Sequence, residues 1–392
     1  MRSMIAALVL CCCALTVQAE TITVCASGCD YTSIQAAVDA ASDYDTIEVG
    51  PGTYNEYIGV WKKPVNIHGT RNETNGALET IVVGGIDVTN IYFGEYVVLK
   101  DLDIRSDGKS LWLVTISDVE EIDIWGCAIS GSLGVGVYAD YAELFIDEST
   151  ISENQGGGVH YDGWGTHRGL WIVKSTIRNN STPTNGGGIR VEQIGLLQIE
   201  DSEISDNAAV LNGGGIWIDD LSLAYQMNLW NSTVKGNMAE NGAGLYVTSD
   251  ATYALVIDGY TFEDNTATSS GGGIFIDSGS SIGLENSILC GNTTAGSSTD
   301  TNQIEGVYTI DETSCLSAVC TDVDEDGIPD GCQVDEPCPT DIDGNGVVNG
   351  ADLSLVLGAW ATSDATADID GSGTVDGADL ALVLGSWGSC PE

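Results

Sequence analysis

One short phrase recurs at a near-constant interval through the middle of this chain. It consists of an asparagine, a few small residues, a glycine cluster and then a brief alternating run. The glycine phrases are Gln155-Gly-Gly-Gly-Val159, Asn185-Gly-Gly-Gly-Ile189, Asn212-Gly-Gly-Gly-Ile216, Asn241-Gly-Ala-Gly-Leu245 and Ser270-Gly-Gly-Gly-Ile274. The asparagines that close the preceding runs are Asn154, Asn180, Asn207, Asn237, Asn265 and Asn292, at steps of 26, 27, 30, 28 and 27 residues. A period of that size marks a solenoid, in which each coil buries its apolar face only by stacking on its neighbours. Residues 45 to 310 then form about nine or ten coils of short parallel strands, about 4.8 Å apart. The glycines suit sharp corners, which need positive φ or no side chain. Asparagine tolerates the left-handed conformation and can bond its amide to the asparagine one coil away.

Equivalent positions in a solenoid become columns on its surface. After each glycine cluster the alternation sends Val159, Tyr161, Ile189, Val191, Ile216, Ile218, Leu245, Val247, Ile274 and Ile276 inward. The outward column is then Tyr138, His160, Arg190, Trp217, Tyr246 and Phe275. Two residues further along each strand, a second outward column holds Asp140, Asp162, Glu192, Asp219, Thr248 and Asp277.

Charge narrows the partners. Asp and Glu number 58 against 12 Lys and Arg, a formal net charge of -46. Phosphate recognition needs clustered cations, so nucleic acid is excluded as a partner, and an anionic membrane surface with it. The acidity fits solubility and divalent-cation sites. Met1-Arg2, the apolar stretch Ile5 to Val17 and the small-residue exit Val17-Gln18-Ala19 read as an export signal over residues 1–19. No later stretch is long and apolar enough to span a membrane, so the expected location is extracellular or at the cell surface.

Nine cysteines follow the signal, and export makes disulfides the default. The pairs expected are Cys25 with Cys29, Cys290 with Cys315, Cys320 with Cys332, and Cys338 with Cys390; Cys127 is left as a buried free thiol.

Tyr31 to Ala41 reads as a short helix with Ile34, Ala37, Val38 and Ala41 on one face and Thr32 or Ser33 as its cap. Strands follow at Thr46 to Val49, Tyr57 to Val60 and Val65 to His68. The helix, the Gly50-Pro-Gly-Thr-Tyr54 turn and the glycine-asparagine repeats together resemble the secreted right-handed parallel β-helix proteins of the pectate lyase-like superfamily. The resemblance implies an all-β solenoid over residues 20–314, with the N-terminal helix capping its open end.

The end of the chain is different. Asp341, Asp343, Asn345, Asn349 and Asp352 stand at positions 1, 3, 5, 9 and 12 of a calcium loop, with Gly346 at the turn and the Val347 carbonyl at position 7. Asp368, Asp370, Ser372, Thr374 (through its carbonyl), Asp376 and Asp379 repeat the pattern 27 residues later. Each loop runs into an apolar helix, Leu353 to Trp360 and Leu380 to Trp387. The duplicated half-EF-hands resemble a type I dockerin over residues 338–392, a small α-helical calcium-binding domain, which implies a cohesin-like protein partner. The positions just before the last ligand are Gly350-Ala351 and Gly377-Ala378, where cellulosomal dockerins carry hydroxyl residues. In the connector 315–337, Asp322, Asp324, Asp326 and Asp330 resemble a thrombospondin type 3 calcium repeat.

For the β-helix, the aromatic column points to carbohydrate. Tyr138, Trp217, Tyr246 and Phe275 would stack on sugar rings along a groove matching a polysaccharide. Asp162, Glu192 and Asp219 would hold Ca2+ against a uronate or serve as acid and base, with Arg190 or His160 handling the proton. Asp219-Asp220 resembles the paired aspartates of polygalacturonase-type hydrolases, without their Gly-His-Gly and Arg-Ile-Lys phrases. The insertion Tyr161 to Arg168, with His167, is a further candidate loop beside that face. Two readings stand: a polysaccharide lyase or glycosidase-like enzyme, and a non-catalytic surface or adhesive protein that binds glycans or acts as a rigid spacer.

Overall fold

A computed structural model describes residues 19–164, 168–219, 226–248, 255–294, 303–321, 329, 332, 338–345 and 347–389. All but the last residue of the export segment, His167, Asp220, Gly346, Cys390 and the Asp322, Asp324, Asp326 and Asp330 loop lie outside the described residues. The chain divides into two units, Met1–Cys320 and Thr321–Glu392.

The first unit is a stack of coils whose described strands form parallel sheets of 19, 11 and 5 strands. The largest sheet carries two ladders. One follows the glycine phrases, with Val159–Asp162, Ile189–Glu192, Ile216–Asp219, Leu245–Val247 and Ile274–Ile276 paired coil to coil. The other contains Gly169–Val173, Leu196–Glu200, Gln226–Trp230, Leu255–Asp258 and Ile282–Glu285. In earlier coils the two merge into single bent strands, Trp112–Trp125 and Val135–Asp147, which turn at the positive-φ residues Asp118 and Tyr141. Register is set by period-two alternation: the ten residues expected to face inward are each no more than 3 % exposed. Burying each aliphatic side chain in such a stack contributes about 1.5–3 kcal/mol.

The corners are built from polar ladders. The Asn154 Nδ2 donates to Asn180 Oδ1 at 2.9 Å, Asn180 to Asn207 at 3.0 Å, Asn207 to Asn237 at 3.1 Å, Asn237 to Asn265 at 2.9 Å and Asn265 to Asn292 at 2.8 Å. Asn292 then donates to Gln303 Oε1, which ends the column. The left-handed conformation falls one residue earlier than expected, on Glu153, Asn179, Asp206, Gly236, Asp264 and Gly291. That residue turns the chain and aims the following amide into the stack. A second ladder, not anticipated, runs through Ser149, Ser175, Ser202 and Ser232, where each backbone N–H donates to the next hydroxyl. Cys127 occupies the same column, donating from its N–H to Ser149 Oγ. Its free thiol is buried, as expected. Burial pushes that thiol up to about 12, so it stays protonated and inert.

The glycines between the ladders let backbones meet. A Cβ on Gly188 would lie 2.6 Å from the Gly215 carbonyl oxygen and 2.9 Å from Asn207 Nδ2. At the N-terminal end, helix α1 (Ile34–Ala40) is capped by Ser33 and buries Ile34, Ala37 and Val38. The strand Thr21–Val24, which was not foreseen, pairs in parallel with Thr46–Val49.

Two of the expected disulfides are replaced. Cys25–Cys29 forms, but Cys290 joins Cys320 rather than Cys315. Strand pairing decides this, because Cys315 lies opposite Ile288 while Ser317 lies opposite Cys290. The chain then turns back and brings the Cys320 sulfur against Gly291. Cys320 is therefore not paired with Cys332; Cys315, Cys332 and Cys338 are each disulfide-bonded.

In the second unit, α2 (Gly350–Gly358) and α3 (Gly377–Gly385) pack around Val348, Val356, Ala367, Val375 and Val383. Each helix starts three residues before the expected leucine, because Asn349 and Asp376 act as N-caps in reciprocal capping boxes with Asp352 and Asp379.

The asparagine ladder yields a test. Asn207→Ala removes the acceptor for the Asn180 backbone N–H and one partner of its amide, and the donor to the Ile177 carbonyl. With several buried polar groups left unpaired, the substitution should cost about 3–5 kcal/mol in chemical denaturation. Stability within about 0.5 kcal/mol of the parent would show that the ladder is incidental to the stack.

Candidate functional site

The first outward column runs in unbroken register from Tyr138 through His160, Arg190, Trp217 and Tyr246 to Phe275, and the second from Asp140 through Asp162 and Glu192 to Asp219, with Thr248 and Asp277 just past the ends of their strands. The ring faces of the first column, however, are not open. Side chains one rung apart stack on each other, and that occupies the surface a sugar would use. Tyr246 lies on Phe275 at 4.9 Å between centroids and 5° between planes. Arg190 sits 5.0 Å over Trp217, and Tyr138 is held between Trp112 and the edge of His160. Trp217 is 6 % and Tyr246 9 % exposed.

In the acidic column Asp162, Glu192 and Asp219 are likewise engaged, whereas Asp140 Oδ1 is shielded without a hydrogen-bond partner. His160, Arg190 and Glu192 are brought together, with the Arg190 Nε donating to Glu192 Oε1 at 2.6 Å and the His160 Nε2 at 3.7 Å from the same oxygen. The His160 imidazole and, with it, the Arg190 guanidinium hold the Glu192 carboxyl at about 2 against the effect of its burial. Glu192 is thus a permanent anion whose charge is already matched. Asp162 is one rung away and accepts from the Trp164 N–H; burial raises its carboxyl above the usual range. Asp219, on the other side of Glu192, accepts from the Thr248 hydroxyl.

A second surface was missed. On the outer side of the other ladder, a pocket of about 300 Å³ is lined by Asp123, Trp125, Phe145, Asp147 and Trp171, with Val98 and Val173 at its edges. Phe145 and Trp171 stack at 4.2 Å and 12°. Trp171 also lies over Gly169, where a Cβ would come within 2.8 Å of its ring. Trp125 is 40 % exposed and carries the Lys100 ammonium 4.1 Å from its ring centroid. Burial, with the nearby charges of Glu121 and Asp147, pushes the Asp123 carboxyl up to about 6. The Asp147 Oδ1 is shielded from solvent and has no hydrogen-bond partner. The available sequence signal was a second outward alternation: Asp123 and Trp125, then Phe145 and Asp147, then Trp171 and Val173, in register across three coils.

In the second unit the loop aspartates converge. Carboxylate oxygens of Asp341, Asp343 and Asp352 lie within 4.8 Å of one another, and so do those of Asp368, Asp370 and Asp379. Asp352 accepts backbone N–H groups from Ile342, Asp343 and Asn349; Asp379 accepts those of Ile369, Asp370 and Asp376. These bonds hold the position-12 carboxylates ionised and aim them into their loops. Asn345 and Ser372 donate their backbone N–H groups to loop aspartates. The Val347 and Thr374 carbonyls also face their loops, accepting from the Asn349 amide and the Ser372 hydroxyl. Asp368 Oδ1 is shielded and without a hydrogen-bond partner. Three mutually repelling carboxylates, one with an unpaired buried oxygen, fit a hard divalent cation.

A family model described as right handed beta helix region matches residues 90–289. The chain belongs to the right-handed β-helix family. Among solved structures, the β-helix is similar to pectate lyase Pel9A, at 14 % identity and TM-score 0.44 over 93 % of this chain and 88 % of that one. It is also similar to a pectin methylesterase from Aspergillus niger (14 %, TM-score 0.38, 79 % and 93 %) and to the A-module of the Azotobacter vinelandii mannuronan C-5 epimerase AlgE4 (13 %, TM-score 0.31, 74 % and 95 %). These likenesses concern the fold. No curated protein matches. The His160–Arg190–Glu192 cluster and the Asp123–Asp147 pocket both lie within the matched span of the β-helix, and the aspartate loops lie beyond it.

The raised Asp123 carboxyl makes stability pH-dependent. Its proton is held more tightly in the folded than in the unfolded chain. The contribution is therefore fully present below the ordinary value of 3.8 and lost as pH rises through about 6. Asp123→Asn should raise stability by about 1 kcal/mol near pH 8 and leave it unchanged near pH 3, after allowance for solvent screening. Thermal melts at both pH values check this, and an equal effect at both would refute it.

Proposed function

We propose that this chain is an exported protein whose β-helix binds polysaccharide and whose C-terminal unit is a calcium-clasped, dockerin-like attachment module. The observation that carries the glycan reading is the pocket at Asp123, Trp125, Phe145, Asp147 and Trp171, where aromatic surface and acceptor oxygens share a concave patch. The pairing of Glu192 with Arg190 and His160, and the mutual stacking of Trp217, Tyr246 and their neighbours, support a structural role for the first face. Export is supported by the disulfides. No helix among the described residues is long and apolar enough to cross a membrane.

A catalytic version of this reading rests on a specific feature: Asp123, with its carboxyl raised to about 6, lies diagonally across one rung from Asp147. A carboxyl whose proton is held unusually tightly, set beside a second carboxyl group, is the kind of pair that glycoside cleavage uses.

In the C-terminal unit the convergent aspartates support calcium in both loops, bound by Asp341, Asp343 and Asp352 with Asn345 and the Val347 carbonyl, and by Asp368, Asp370 and Asp379 with Ser372 and the Thr374 carbonyl. Asn349 and Asp376 cap the helices that follow, which ties each loop to its helix. Leu355, Leu357 and Trp360, repeated as Leu382, Leu384 and Trp387, are exposed at 42–54 %. Two equivalent apolar patches on one small unit support attachment to a cohesin-like protein.

Retention on a panel of polysaccharides, with product release assayed in parallel, tests the first part. Binding to at least one polymer is expected, weakened about tenfold by Trp171→Ala. New reducing ends without an unsaturated product, lost in Asp123→Asn, would establish hydrolysis. Retention on none, or on one equally in Trp171→Ala, removes the pocket from the account. For the second part, chelation should abolish the ellipticity of α2 and α3 while leaving the β-helix signal, because half-loops of this kind fold around their metal. Asp352→Asn should weaken calcium binding at least about tenfold by calorimetry; unchanged affinity would remove calcium from that loop.

A further inference from the structure

The lining of the Asp123–Asp147 pocket carries information about what it receives. Among the described residues its walls are Asp123, Trp125, Phe145, Asp147 and Trp171 with aliphatic neighbours, and they include no lysine, arginine, histidine, amide or hydroxyl side chain. The polar side-chain groups it presents are therefore carboxylate oxygens, with the two indole N–H groups as the side-chain donors. One of those oxygens, Asp147 Oδ1, is already removed from solvent and has no donor within the protein. A shielded acceptor left unpaired is costly, and a turn of the Asp147 side chain that brings this oxygen to a donor on the ligand removes that cost. Glu121 adds charge from the same strand as Asp123. At the rim, an ammonium already rests on an aromatic face, since Lys100 lies over Trp125 on the rung before Asp147.

We propose that this pocket takes a glycan bearing free amino groups, its sugar ring held against the face of Phe145 that Trp171 leaves uncovered, on the Asp123 side, and its ammonium donating hydrogen bonds to Asp147 and Asp123. This deepens the polysaccharide reading and rests on it. A uronate chain fails on chemistry. It presents a negative charge and further acceptors to a pocket that has few donors, on a chain of net charge -46. A neutral sugar fills the aromatic surface and leaves the carboxylates with hydroxyl donors. An ammonium satisfies both features, through charge-assisted hydrogen bonds and contact with the aromatic wall.

The test uses the full chain with calcium present, short glucosamine oligosaccharides, their N-acetylated counterparts and galacturonate oligosaccharides of equal length. It is run by calorimetry at near-physiological salt and at a pH where the amine is charged. The amino oligosaccharide should bind at least about tenfold more tightly than the acetylated one, equivalent to about 1.4 kcal/mol. Asp147→Asn should erase that preference and leave binding of the acetylated oligosaccharide in place; Asp123→Asn, made separately, should reduce the preference. Non-specific attraction to so acidic a protein is controlled by Glu312→Gln, an exposed acid several coils further along the stack, which should change nothing. Equal affinity for amino and acetylated forms, equal losses in Glu312→Gln and Asp147→Asn, or stronger binding of galacturonate would each overturn the proposal while sparing the polysaccharide reading. Binding of none of the three would overturn this proposal, and a blank across the wider polysaccharide panel would remove the polysaccharide reading as well.

Discussion

Hydrogen bonding from coil to coil is the interaction on which the first unit depends. A solenoid has no long-range packing to fall back on: each coil is held by the one before and the one after. Strand pairing satisfies most of the backbone, but at the corners the chain must turn and its N–H groups lose their strand partners. The asparagine ladder from Asn154 to Asn292 and the serine ladder from Ser149 to Ser232 take over there, each side chain serving the coil behind it. Because the ladder amides are buried, they also lock register. A coil slipped by one residue would strand an amide in the core and turn Val159, Ile189 and Ile216 outward.

That same register governs what the outer faces can do. Neighbouring coils are close enough for flat side chains to stack, so an aromatic column consumes its own surface. Tyr246 and Phe275 cover one another, and Arg190 spends its guanidinium on Glu192 and Trp217. A ligand surface arises where the column is interrupted. Asp123 precedes Phe145, and Asp147 follows Trp125, so aromatic and acidic residues alternate along the stack and a pocket opens between them.

The second unit solves a different problem. It is too small to build a large core, and its five fully packed apolar residues are supplemented by polar organisation at the loops. Asp352 and Asp379 each join a loop to a helix start, accepting N–H groups from both, so the same carboxylate that closes the loop also begins the helix. A cation bound there would therefore act on the secondary structure directly.

Local pattern was enough to determine much of this protein. The 26-to-30-residue spacing of Asn154 to Asn292 dictated a stacked solenoid, because only coil-to-coil bonding satisfies a buried amide at every turn. The alternation after each glycine cluster determined which side chains enter the core, and the loop spacing determined which aspartates meet. Three things were decided only by the tertiary structure. Disulfide partners followed strand pairing, which set Cys315 opposite Ile288 and left Cys290 to Cys320. The openness of the aromatic column depended on how neighbouring rings settle against each other. The Asp123–Asp147 pocket needed three coils, far apart along the chain, to be stacked in register. Spacing along one strand names the residues that face outward, but the space between them belongs to neighbours that only the fold supplies.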